Sequence, residues 1–168
     1  LPAHMLPALT DKGYSIGTAA GMVTLFSGVV VAIKPIWGLL GEQIQARYLL
    51  VACFTIAAAG MVLLAAVEEG LAIVLFPIIY GIGIAAYMPL INLIWADYFG
   101  RGYLGAIRGV FIPITLISQS LSPVLTAYIF DLTGTYSPAF IAFAICYLLS
   151  AVAIFLARRP TPPLPSDQ

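Results

Sequence analysis

Lys34, Arg108, Asn92 and Gln119 stand inside stretches of sequence that otherwise carry almost no charge, and they are where chemistry is to be sought. Ammonium and guanidinium groups attract anions, and carboxamides hydrogen-bond in both directions. Two readings of Lys34 stand: its long stem carries the charge out to an interface, or it faces a cavity and pairs with an anionic group. Asn92 bridges helices or contacts a ligand. His4 titrates near neutral pH and is an ordinary helix-end residue or a carrier of protons or ligand. Cys53 and Cys146 occupy separate apolar runs without metal-like spacing, which makes them packing residues. No phosphate-binding glycine loop, HExxH, GxSxG or basic run is present. With no paired acid and base or metal cluster, the sequence signals no enzyme, no cofactor, no metal and no nucleic-acid partner.

The elements that position these residues are five long apolar runs: Ile16 to Leu40 with one charge, Tyr48 to Val67 with none, Leu71 to Ala96 with none, Leu104 to Phe130 with one, and Pro138 to Ala157 with none. A bilayer core about 30 Å thick takes roughly 20 residues of helix, and lipid offers no water to an irregular backbone. Hydrophobic residues make up 62% of the chain and charged ones 8%, against about 25% charged in soluble domains, so a water-soluble fold is excluded. The expectation is an all-α membrane protein with helices near 16–40, 48–67, 71–96, 104–130 and 138–157.

Basic residues fall in alternate connectors. Arg47, then Arg101 and Arg108, then Arg158 and Arg159 lie on one side; Lys12 lies on the other, together with Glu68, Glu69 and Asp131. The positive-inside rule puts the arginine side, and the disordered tail 158–168, in the cytoplasm of a cell (inner or plasma) membrane. Residues 1–10 form an apolar stub too short to span and lacking a signal peptide's basic start, which suggests the outer end of a sixth helix. The chain therefore reads as a C-terminal fragment.

Polar residues concentrate in the first, third and fourth runs, whereas the second holds Thr55 and the fifth Ser150; the latter two are expected at the lipid-facing periphery. In the first run Gly17, Ala20, Thr24, Ser27, Val31, Lys34 and Gly38 recur at steps of three and four. In the fourth, Arg108, Ile112, Thr115, Gln119, Ser122 and Thr126 do the same. Each set is one helical stripe. The stripes line a watery path, or their small and hydroxylated members, with Gly17xxxGly21 and Gly105xxxGly109, let helices pack closely. Lys34 also precedes Pro35, which loosens its helix, and Pro77, Gly81, Gly83 and Pro89 break the regularity of the third run. Arg108 is an orientation anchor near the membrane surface, or pairs with Asp97 beside Arg101 in a gate across the cytoplasmic mouth.

The segments HMLPALTDKGYS (4–15), KPIWGLLGE (34–42), WADYFGRGYLGAIRG (95–109) and FDLTGTY (130–136) resemble the second half of a major facilitator superfamily transporter, within the monocarboxylate porter and oxalate/formate antiporter branch. The resemblance implies the C-terminal half of a twelve-helix fold: five full transmembrane helices, the end of a sixth, and an N-terminal six-helix partner half outside this chain. It implies that Lys34-Pro35 stands where such porters carry a cation, usually arginine, that holds the substrate carboxylate. A lysine keeps the charge and gives up the bidentate fork. Gly38 to Arg47 resembles the superfamily's cytoplasmic loop motif, GxLxDRxGRR. Gly38 and Arg47 are kept, Glu42 replaces Asp, Gln43 replaces Arg, and Gln45 replaces the second glycine.

The expected function is secondary transport of small organic anions, monocarboxylates foremost, by alternating access. Lys34 attracts the carboxylate, Gln119 and Asn92 offer hydrogen bonds, and any coupled proton is carried by His4 or outside this chain. A facilitator of neutral or cationic solutes and a non-transporting membrane receptor or scaffold are the alternatives.

Overall fold

The computed structural model of the chain describes residues 7, 9–10, 13–66 and 72–157. His4, Lys12, Glu68, Glu69, Arg158 and Arg159 lie outside them. Helix α1, Ile16–Gln43, starts at Ser15, whose hydroxyl accepts from the Thr18 amide at 3.2 Å, and carries Pro35 in its last third. It ends where Ile44 turns extended, and α2 follows at once as Ala46–Ala66. The third apolar run is two helices, α3 (Ala72–Ala85) and α4 (Tyr87–Phe99), meeting at Ala86. Pro89 supplies the reason: without an N–H it leaves the Ala85 carbonyl no donor four residues on. Gly100, at φ 80°, turns the chain into a single 3-10 turn, Arg101–Tyr103, and α5 runs Leu104–Thr133. Gly134 caps α5 in the left-handed region, and α6 is Ser137–Leu156. The described residues contain five helical segments long and apolar enough to cross a membrane, α3 and α4 together making one, Val74–Phe99. This is an all-α, multi-pass membrane protein.

Helix α2 is the hub. It packs on α3, α4 and α6, and half of its most apolar stretch is buried, against 17% in α1 and 6% in α5. The peripheral place expected for the second run is thus not where this bundle puts it. Polar content was a poor guide because small residues let a neighbouring helix come close: Cys53, Ala57, Ala58 and Gly60 lie on its buried face among Leu50, Phe54 and Met61. Opposite them lies Gly83 of α3. A methyl group there would stand 2.5 Å from the Ala57 amide nitrogen and 2.8 Å from the Cys53 carbonyl oxygen; at Gly60 it would meet Cβ of Tyr80 at 2.9 Å.

Around this crossing the core is aromatic. Tyr80 stacks between Phe26 and Phe76 with ring centroids 5.6 and 5.7 Å away, and Phe54 lies 5.9 Å from Tyr147. The two tyrosine hydroxyls meet at 3.0 Å, joining α3 to α6. Removing one buried hydroxyl strands the other, at a cost of about 1–3 kcal/mol, whereas removing both leaves nothing unpaired. Tyr80→Phe and Tyr147→Phe are accordingly expected to lower the thermal midpoint of the full-length protein individually, and the double variant to lose less than their sum, as a double-mutant cycle will measure.

Helix α1 packs on α3 and touches α4, α5 touches α4 and α6, and both leave broad faces uncovered. On α1 the covered side is Ala19, Met22, Phe26 and Trp37, and the indole N–H of Trp37 donates to the Ile82 carbonyl of α3 at 2.9 Å.

Candidate functional site

All seven members of the α1 stripe, from Gly17 through Thr24, Ser27 and Lys34 to Gly38, are exposed in this bundle. The periodicity and the packing agree because the apolar residues that α1 buries lie on its other side, against α3. Lys34 makes no hydrogen bond or ion pair among the described residues. The hydroxyls beside it are committed to their own helix: Thr24 donates to the Ala20 carbonyl at 3.0 Å and Ser27 to the Val23 carbonyl at 2.9 Å.

The α5 stripe splits. Gln119 is exposed while Thr126 is buried, and Ser118 and Thr126 donate back to the Ile114 and Ser122 carbonyls. Gln119, Ser118 and Ser122 face Phe143, Cys146, Tyr147 and Ser150 across a cleft of about 270 Å³ between α5 and α6. Lys34 has no share in that lining. Asn92 is likewise absent from the lining of the Gln119 cleft.

Asn92 has a partner that the sequence did not disclose. Its Oδ1 accepts from Nε and Nη2 of Arg108 at 3.2 and 3.0 Å, and its amide nitrogen donates to the Met88 carbonyl at 2.7 Å. Arg108 thus turns to Asn92. One turn further on, Trp95 and Phe111 close the same α4–α5 seam with ring centroids 5.3 Å apart. A sequence separation of sixteen residues hides this pairing, since only the register of two helices brings it about.

Of the loop-motif residues, Gly38 and Glu42 are exposed and a methyl group on Gly38 would meet nothing within 4 Å. Arg47 is engaged: it donates to the Phe155 carbonyl at the end of α6, and its guanidinium carbon lies 5.7 Å from the Tyr48 ring centroid and 5.4 Å from that of Phe155. Its Nε is buried with no hydrogen-bond partner. Arg47 and Asp97 both line a cavity of about 280 Å³ with Gln45, Ala46, Ile94 and Tyr98, and the Tyr98 hydroxyl donates to the Ala157 carbonyl at 3.4 Å. This end of the bundle therefore ties α2, α4 and α6 together. His4 lies outside the described residues, and no group of His, Cys, Asp and Glu able to hold a metal occurs among those that are described.

The family model of the Major Facilitator Superfamily matches residues 2–168. The chain belongs to the Major Facilitator Superfamily. The chain is also similar to "Monocarboxylate transporter 12-B" of Danio rerio, with 30% identity over 80 residues. The match takes in 48% of this chain and 17% of the relative's length. Membership places the protein among transporters, and its spanning helices place it in a lipid bilayer.

Proposed function

We propose that the protein is a secondary transporter of small organic anions, monocarboxylates in particular, and that Lys34 is the residue that holds the substrate's carboxylate. The observation that carries this reading is the exposed α1 stripe: a lysine without a partner, within a membrane-spanning helix, flanked on the same face by Thr24 and Ser27. A charge at the centre of a bilayer costs about 2.5 kcal/mol or more, an expense that a transient anionic ligand offsets. The similarity to a protein named as a monocarboxylate transporter supports the same substrate class.

The uncovered faces of α1 and α5 fit a second six-helix half across a central path, as in the two-half architecture of the superfamily. In that arrangement this chain is the C-terminal half, its arginine-bearing connectors lie in the cytoplasm of the cell membrane, and substrate reaches Lys34 by alternating access. A proton partner, if transport uses one, is His4 or belongs to the other half.

Competition for uptake by the full-length protein in proteoliposomes tests the substrate class. Unlabelled monocarboxylates are expected to inhibit uptake of a labelled one, and their neutral amides to have no effect. Equal inhibition by acid and amide points to a facilitator of neutral solutes, and binding without flux to a receptor.

A further inference from the structure

We infer that Arg108 is a second anion-binding residue, held ready by Asn92 and set nearer the membrane surface than Lys34; the inference rests on the carboxylate reading given above. The partner's chemistry is the first argument. Two N–H groups of Arg108 converge on a neutral carbonyl oxygen, which fixes the guanidinium without cancelling its charge. A carboxylate at position 92 would have done both. The amide nitrogen of Asn92 is bound in turn to the Met88 carbonyl, and this holds Oδ1 toward Arg108. Of the five guanidinium donors three remain, on a side chain that is exposed in the bundle and forms no ion pair among the described residues. Those donors have the spacing that grips a carboxylate by two parallel bonds.

Placement is the second argument. Helix α4 touches both α1 and α5, and Gly41 of α1 faces Leu90 and Leu93 of α4 at 3.5 and 3.6 Å from where its Cβ would be. Asn92, and with it Arg108, is therefore level with Gly41. Lys34 stands seven residues earlier on α1, roughly 10 Å deeper at helical rise. Two cations on two helices that both touch α4, staggered in depth, give an anion a shallow station and a deep one. The carboxylate meets the fork of Arg108 first and passes to the point charge of Lys34, or leaves in the reverse order.

The test separates charge from structural tie. Asn92→Asp places a carboxylate on Arg108, strengthening the α4–α5 link while neutralising the cation; Arg108→Gln removes the cation outright. In full-length protein reconstituted in proteoliposomes, with labelled lactate as probe, both are expected to raise the half-saturating concentration about tenfold with the maximal rate largely kept. Lys34→Gln, run in parallel, is expected to abolish uptake. If Asn92→Asp keeps the wild-type half-saturation while Lys34→Gln is inactive, Arg108 is a tie between helices and this inference falls alone. If all three variants behave as wild type, the carboxylate reading falls with it. Should Asn92→Asp fail to elute as a single species, Arg108→Lys decides: it keeps the charge without the fork, so a several-fold rise supports the inference and an unchanged value overturns it.

Discussion

Lys34→Gln in the full-length protein is expected to abolish carboxylate uptake while the variant reaches the membrane in normal amount. Glutamine approximates lysine's length and keeps hydrogen-bonding capacity, so the loss isolates the charge. Truncating one member of a buried charge pair costs about 2–5 kcal/mol, which is roughly a 30-fold or greater loss of affinity. Lys34 is exposed in this bundle and makes no hydrogen bond or ion pair among the described residues, so the fold has little to lose by the change. Lys34→Arg supplies the internal control. It restores the fork that lysine lacks and is expected to transport, with affinity equal to or better than wild type. Measured uptake of Lys34→Gln with unaltered half-saturation and rate would remove Lys34 from the site.

The second large effect lies away from any ligand. Gly83→Val is expected to prevent the protein from accumulating as a folded, monodisperse species, and Gly83→Ala to reduce it strongly. Carbon atoms rest comfortably about 3.5–4.0 Å from their neighbours. A Cβ at Gly83 would start 2.5 Å from a backbone nitrogen and 2.8 Å from a backbone oxygen of α2, and neither can rotate aside. Helix α3 would have to withdraw by about 1 Å, opening the α2–α3 crossing that anchors the bundle; overpacking of this kind costs about 1–3 kcal/mol and more when backbone is the obstacle. Gly60→Ala meets the Tyr80 Cβ at 2.9 Å and is expected to weaken the protein in the same way. Size-exclusion profiles of tagged variants in detergent read all three. A wild-type profile for Gly83→Val would mean that α2 and α3 are not held this close.

The spans were legible because length and apolarity leave a membrane chain few alternatives, and the α1 stripe because Thr24, Ser27 and Lys34 keep helical step over three turns. The third run announced its irregularity through Pro77, Gly81, Gly83 and Pro89, although the break falls at Ala86, set by the missing amide of Pro89. What sequence could not supply was register between helices. Tyr80 and Tyr147 are 67 residues apart and Asn92 and Arg108 sixteen, and neither pair carries a local signal. Gln119 lines a cleft against α6, and that neighbour too is a matter of register. The central role of α2 was hidden for a related reason. Its qualification is a set of alanines and a glycine, which as composition looks featureless.

Several hydroxyls of α1 and α5, those of Thr24, Ser27, Thr115 and Ser118, donate their protons to carbonyls of their own helices. What such a wall turns outward is lone pairs. On the proposed reading, a negatively charged traveller finds no grip on these hydroxyls, whose outward oxygens repel rather than clasp. Between the few nitrogen-bearing footholds, the surface is slick to an anion. Dwell time, and with it the energy barrier between one foothold and the next, is then governed by the spacing of those nitrogens and hardly at all by the number of hydroxyls in between.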